Sequence, residues 1–339
     1  MQSRSFITGL AGPTLLQDER AFLKAAAPWG LILFARNIET PDQVRALVAD
    51  ARAALGWNAP VLIDQEGGRV QRLRPPHWPN YAPAETFGAL HGRDAAAGLR
   101  AAWLQSRLMA DDLHRLGIDV DCLPCADLRL PEGHGIIGNR AYGDAPEPVA
   151  ALARAAADGL LAGGVLPVLK HIPGHGRAPA DSHERLPEVS APRALLERTD
   201  FAAFRLLNDL PLGMTAHVVY ADIDPSAPAT TSRIMMGEIV RGLIGFDGLV
   251  MSDDLSMGAL AGSLAERGRA AMAAGCNMLL HCNGMLSEME AVAAQAPQLE
   301  GQAEARAARA LAMRAAPQPL VRTEAEAELA ALLGPSGGA

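Results

Sequence analysis

Eight apolar runs of strand length, separated for the most part by alanine-rich helical stretches and followed by ionisable residues at several of their ends, predict an α/β fold. Strand and helix alternate as in βαβ units around a parallel sheet, and eight repeats point to a single-domain (β/α)8 barrel of the TIM type. The alternative, an open doubly wound sheet, usually carries a glycine-rich phosphate turn after its first strand, and this chain has none.

In chain order the runs lie at 6–10, 31–35, 61–63, 118–123, 165–169, 213–219, 248–251 and 277–282. Helical stretches with charges on one face are expected at 41–55, 94–116, 146–161, 191–208 and 263–274. From about residue 300 the composition is again helical, and the chain ends in Pro335-Ser336-Gly337-Gly338-Ala339, expected to be a frayed tail. No linker separates a second domain, so residues 1–339 read as one catalytic unit.

Composition narrows the class. A length of 339 residues would allow two average domains, but one barrel commonly reaches this size. With 49% hydrophobic and 20% charged residues there is enough apolar material for a large core. A formal net charge of -8 disfavours a nucleic-acid surface, which needs a basic face. The N-terminus lacks a sustained apolar core before Gly12-Pro13, and no segment is long and apolar enough to span a bilayer, so a cytoplasmic protein is expected, with no membrane partner. The cysteines fall as Cys122 with Cys125 and Cys276 with Cys282, in apolar runs and without zinc-knuckle spacing, and read as buried free thiols. No cofactor and no metal are called for, and a monomer is expected.

The chemistry gathers at the ends of the runs, where a barrel builds its active site. Asp64 follows 61–63, Lys170 and His171 follow 165–169, His217 closes Met214-Thr215-Ala216, and Asp253 and Asp254 follow 248–251. The stretch 170–183 alone carries Lys170, His171, His175, Asp181 and His183 among glycines and prolines. In an extended stretch residues two apart share a side, so Asp181 can bond one ring nitrogen of His183 while the other faces a substrate. That pair reads as an acid/base dyad, because a neighbouring carboxylate favours the proton-donating form. Asp253 suits a nucleophile or a charge stabiliser. A carboxylate nucleophile with a proton donor is the arrangement of a retaining glycosidase, here with histidine where a second carboxylic acid is usual. Plainer readings exist: a loop-stabilising bond for Asp181 and His183, a helix N-cap for Asp253 and Asp254, loop support for His175, and a surface position for Arg69.

The chain resembles a bacterial β-N-acetylhexosaminidase of glycoside hydrolase family 3, in the single-domain branch that acts in peptidoglycan recycling. The resemblance rests on Gly30-Leu31-Ile32-Leu33-Phe34-Ala35-Arg36-Asn37, on Ile63-Asp64-Gln65-Glu66-Gly67-Gly68-Arg69-Val70-Gln71-Arg72, on the 170–183 motif, on Met214-Thr215-Ala216-His217 and Pro228-Ala229-Thr230-Thr231-Ser232, and on Gly245-Phe246-Asp247-Gly248-Leu249-Val250-Met251-Ser252-Asp253-Asp254-Leu255-Ser256-Met257. It implies Asp253 as nucleophile and His183 with Asp181 as general acid/base, and a retaining exo-hydrolysis of terminal N-acetylglucosamine from muropeptides or other small saccharides. It also implies that Asp64 grips sugar hydroxyls and that Arg72, Arg140, Lys170 and His171 line the sugar pocket. The chain departs from the family's pattern at 119–127, which lacks the usual asparagine and phenylalanine, and at Asn277, where an aspartate is common.

Three other readings compete. A histidine acid leaves the acceptor side less anionic than a glutamate and so admits a phosphorylase. A metal-dependent barrel hydrolase would draw on His171, His175, His183, His217 and Asp253, although the His-x-His pair expected after a first strand is missing. A sugar-binding regulator would keep the pocket without the chemistry. The glycine- and proline-rich 173–183 loop is expected to move, placing His183 only when sugar is bound.

Overall fold

Parallel strands close into a ring in the computed structural model, which describes residues 3–334, so the tail predicted at 335–339 lies outside the described residues. The strands are β1 (Arg4–Gly9), β2 (Pro28–Leu33), β3 (Val61–Ile63), β4 (Val120–Asp121), β5 (Leu166–Ile172), β6 (Leu212–Thr215), β7 (Leu249–Asp254) and β8 (Met278–His281). Each pairs with its neighbour in sequence, and β1 pairs with β8 to complete the barrel. This is the predicted fold.

Alternation along each strand divides its side chains between two layers. Ile7, Leu62, Val168, Leu212, Met251 and Met278 pack together inside the ring, while Phe6, Ile63, Leu169, Val250 and Leu279 from the same strands face the helices. Each fully buried aliphatic side chain contributes about 1.5–3 kcal/mol of transfer free energy, so these two layers fix the register of the sheet. The helix Gly301–Ala312 adds Ala307 and Ala310 to the inner cluster and ties Arg306 to Asp247, just ahead of β7.

The helix starts follow their caps. Thr40 accepts from the Gln43 amide ahead of Pro41–Leu55, Asp94 from Ala97 ahead of Ala95–His114, and Ser263 forms a capping box with Glu266 ahead of Leu264–Ala274. The stretch expected as one helix at 191–208 is two, Arg193–Arg198 and Asp200–Arg205, broken at Thr199. The Thr199 hydroxyl donates back to the Leu195 carbonyl at 2.8 Å. The sixth run also divides: Val219–Tyr220 leaves the barrel and pairs with Glu188–Val189. No helix follows Asp254 directly. Its carboxylate accepts from the Ser256 amide at 3.1 Å and the Cys282 amide at 3.2 Å, so the helix-cap reading does not hold.

Among the described residues no helix is long and apolar enough to cross a membrane. All four cysteines are free and buried.

Two irregularities shape the rim. Relative to β8, β7 carries an extra residue between Met251 and Asp254, and relative to β6, β5 carries one between Leu169 and Ile172. A bulge re-aims the side chains it contains. Consecutive residues, Asp253 with Asp254 and Lys170 with His171, therefore all reach the same cavity.

Candidate active site

A cavity of about 450 Å³ opens at the C-terminal ends of the strands. All eight residues assigned to the site from sequence line it: Asp64, Arg72, Arg140, Lys170, His171, Asp181, His183 and Asp253.

The inner columns of the barrel lead up to it. Leu62 precedes Asp64 by two residues on β3, Val168 precedes Lys170 on β5, and Met251 precedes Asp253 on β7, so each ionisable group stands over an apolar one. Lys170 is 2% exposed and places its ammonium 3.0 Å from Asp64 Oδ1 and 2.6 Å from Glu66 Oε1. Arg72 donates to Asp64 Oδ2 at 3.0 Å, and its guanidinium lies 5.1 Å from the centre of the Phe34 ring. Burial works against charge on Asp64, but Lys170 and Arg72 overcome it and hold the carboxyl well below the usual range. Asp64 is therefore an anion that still presents acceptor oxygens to the cavity.

Glu66 is the second anchor and was not singled out from sequence. Arg140 grips it with two parallel bonds of 2.8 Å, and Lys170 approaches from the other side. Burial again opposes its charge, while Arg140 and Lys170 bring its pKa down to about 2. A signal was available, since Asp64 and Glu66 are two apart in an extended segment and meet the same lysine.

Asp127 is the other residue that sequence reasoning missed. It is fully buried on the loop after β4, accepts from His171 Nδ1 at 2.6 Å, and takes the His175 amide at 2.6 Å. Burial resists its ionisation, but His171 and His175 hold it below the carboxylate range. Asp127 thereby fixes the His171 ring with Nε2 turned toward Arg140, 3.5 Å away.

The loop after β5 carries the dyad. Asp181 Oδ1 accepts from both the amide (2.9 Å) and Nδ1 (2.8 Å) of His183. The His183 side chain is 63% exposed and that of Asp181 17%. Burial would raise the Asp181 pKa, yet the two bonds from His183 lower it on balance. The loop tip is docked on the segment after β7, where the Gly258 and Ala259 amides donate to the His183 and Ser182 carbonyls at 3.0 and 3.1 Å.

Asp253 faces this loop from β7. Its Oδ1 accepts from the Asp254 amide at 2.8 Å, and Oδ2 has no hydrogen bond among the described residues. Burial disfavours its charge, but His217, His171, the Asp254 amide and His183 together keep its pKa below the ordinary value.

His175 and His217 do not line the cavity. His175 is 3% exposed, bonds Ser182 Oγ through Nε2 at 3.0 Å, and is driven by burial to a pKa of about 4. This is the loop-supporting role considered from sequence. His217 is wholly buried between Thr230 Oγ1 (2.7 Å) and the Asp254 carbonyl (3.0 Å). The five side chains of the metal-dependent reading therefore do not converge. Among the described residues, the group with donor atoms close enough to share an ion is Cys125, Asp127 and His171, where Asp127 is already bonded to both partners.

A family model described as the glycosyl hydrolase family 3 N terminal domain matches residues 9–313. A β-hexosaminidase of Alkalilimnicola ehrlichii is 43% identical over 282 residues, covering 81% of this chain and 79% of that protein. One from Pseudomonas aeruginosa is 40% identical over 295 residues, covering 86% of each. The crystal structure of NagZ from Neisseria gonorrhoeae in complex with N-trifluoroacetyl-D-glucosamine superposes with a TM-score of 0.87 at 33% identity, covering 99% of both chains. This chain belongs to glycosyl hydrolase family 3.

Proposed function

We propose that the protein is a retaining exo-β-N-acetylglucosaminidase that removes terminal β-linked N-acetylglucosamine from peptidoglycan fragments during cell-wall recycling, acting as a cytoplasmic monomer. One observation carries the reading: a carboxylate held ionised (Asp253) and an Asp-supported imidazole (His183) line one cavity whose floor bears Asp64, Arg72, Arg140 and Lys170. The names of the relatives and the N-acylated glucosamine of the gonococcal structure support the acetamido sugar.

In this reading Asp253 Oδ2 attacks the anomeric carbon as the bond to the leaving oxygen breaks, and His183 Nε2 gives that oxygen its proton. A glycosyl ester on Asp253 results. Water then attacks the same carbon from the vacated side, returns a proton to Nε2, and expels the Asp253 carboxylate, so the configuration is retained. Asp181 holds Nδ1 and thereby turns Nε2 to the sugar. Asp64, Arg72 and Lys170 bind hydroxyls, and Arg140 and His171 line the sugar site.

The test is chemical trapping. A slow fluorinated N-acetylglucosamine derivative should label Asp253, as located by peptide mass, and a label on any other residue overturns the assignment. Preference for an aryl β-N-acetylglucosaminide over the aryl β-glucoside should accompany it.

A further inference from the structure

Every cationic or imidazole side chain lining the cavity has a carboxylate partner except one. Arg72, Arg140, Lys170, His171 and His183 each stand within 3.0 Å of a carboxylate oxygen. Arg69 lines the same cavity, is exposed, and has no carboxylate partner among the described residues.

Its position is nevertheless fixed. Nη2 donates to the carbonyls of Ile136 and Gly135, the latter at 3.3 Å, and the Arg69 carbonyl accepts from Arg74 Nη2 at 3.0 Å. Nε and Nη1 have no acceptor among the described residues. The segment that holds the guanidinium also meets the catalytic loop, because the His134 amide donates to the Ala178 carbonyl at 2.8 Å. Arg69, Asp181 and His183 thus line one cavity and are joined through the 134–136 segment. A proton donor must meet the glycosidic oxygen, so the leaving group passes His183 on its way out of that cavity.

We infer that Arg69 is a specificity residue that binds an acid group on the leaving portion of the substrate, so that the enzyme favours β-N-acetylglucosaminides whose aglycone carries a carboxylate. The inference rests on the glycosidase reading above. The buried cations neutralise one another's carboxylates and are committed to holding the sugar site, whereas the two uncommitted nitrogens of Arg69 offer donors that match a carboxylate. An exposed pair of this kind is screened by salt and is worth about a twofold to fivefold preference.

The experiment compares 3-carboxyphenyl β-N-acetylglucosaminide with its carboxamide, in the full-length protein and in Arg69→Gln and Arg69→Lys. The ratio of the two kcat/KM values is the readout, and the intrinsic reactivity of each aglycone cancels between proteins. The wild-type ratio should exceed that of Arg69→Gln by about twofold to fivefold, shrink as salt is raised, and be partly restored in Arg69→Lys. An Arg69→Gln variant that keeps the wild-type ratio overturns the proposal. So does one that loses activity on both substrates by the same factor, since that is the effect of a merely structural arginine. Turnover of the carboxamide by the wild type upholds the glucosaminidase reading in either case, whereas failure to cleave either glycoside overturns both.

Discussion

The Lys170 ammonium lies 2.6 Å from Glu66 Oε1, with the lysine side chain 2% exposed and the glutamate 4%. Such a pair gives little net stability when intact, because desolvation offsets most of its attraction, but removing one member strands the other. Lys170→Met leaves Asp64 with Arg72 and Glu66 with Arg140 but takes one buried charge-assisted bond from each carboxylate, and should cost about 1–3 kcal/mol. Urea unfolding of the variant at neutral pH measures this. A loss below about 1 kcal/mol would show that water replaces the ammonium.

Asp253 is expected to be indispensable to the chemistry and nearly dispensable to the fold, since among the described residues its carboxylate bonds only the adjacent amide. Asp253→Ala should lower kcat/KM by at least about 10⁴-fold with an unchanged unfolding midpoint. Unaltered activity would remove Asp253 from the nucleophile role.

His183→Ala should lose about 10²–10⁴-fold on a disaccharide with a poor leaving group, and much less on an activated aryl glycoside that needs no proton. Asp181→Asn should show a smaller loss with the same dependence on leaving group. Equal losses across leaving groups would remove His183 from the proton-transfer role.

Stability should depend on pH in two separate windows. His175 is buried with its pKa lowered from 6.5 to about 4, so the unfolded chain binds this proton more readily. Its contribution is complete above pH 6.5 and is lost as pH falls toward 4, by about 3 kcal/mol in all. Glu66, lowered from 4.5 to about 2, contributes in full above 4.5 and loses its share only below that. Urea midpoints should therefore drop between about pH 7 and about pH 4.5, before the carboxylate takes effect. A flat profile there would mean that His175 accepts its proton without leaving the fold.

The docking of the 173–183 loop has a local reporter. Because the Gly258 and Ala259 amides donate to the carbonyls of His183 and Ser182, their hydrogen exchange reads whether the loop tip is seated. Exchange should be faster in the free protein than with a bound inhibitor. Equal protection in both would contradict a loop that closes on sugar.

Much of the site was legible because barrel geometry converts a period of two into position. Leu62 and Asp64, Val168 and Lys170, and Met251 and Asp253 are each two apart, and that spacing alone sends a charged group to the mouth above an apolar layer. The Asp181 and His183 pairing follows the same rule and is present at 2.8 Å. Element ends were less legible: the second strand begins at Pro28 and the fourth shrinks to Val120–Asp121, since tertiary pairing overrides local preference at strand ends.

What the sequence determined by itself is the order of strands and helices, the caps that start several helices, and the charged groups that stand two residues beyond inward-facing apolar ones, all of which depend on neighbours close in the chain. Only the tertiary structure decided that both Lys170 and His171, and both Asp253 and Asp254, reach one cavity, because that depends on bulges defined against the adjacent strands. It also decided that Glu66 and Asp127 hold cavity-lining side chains from behind. Those pairings join residues beyond the ends of β3 and β4 to residues of β5 that are far apart in sequence, and a buried charge reveals its partner only when the fold removes water from between them.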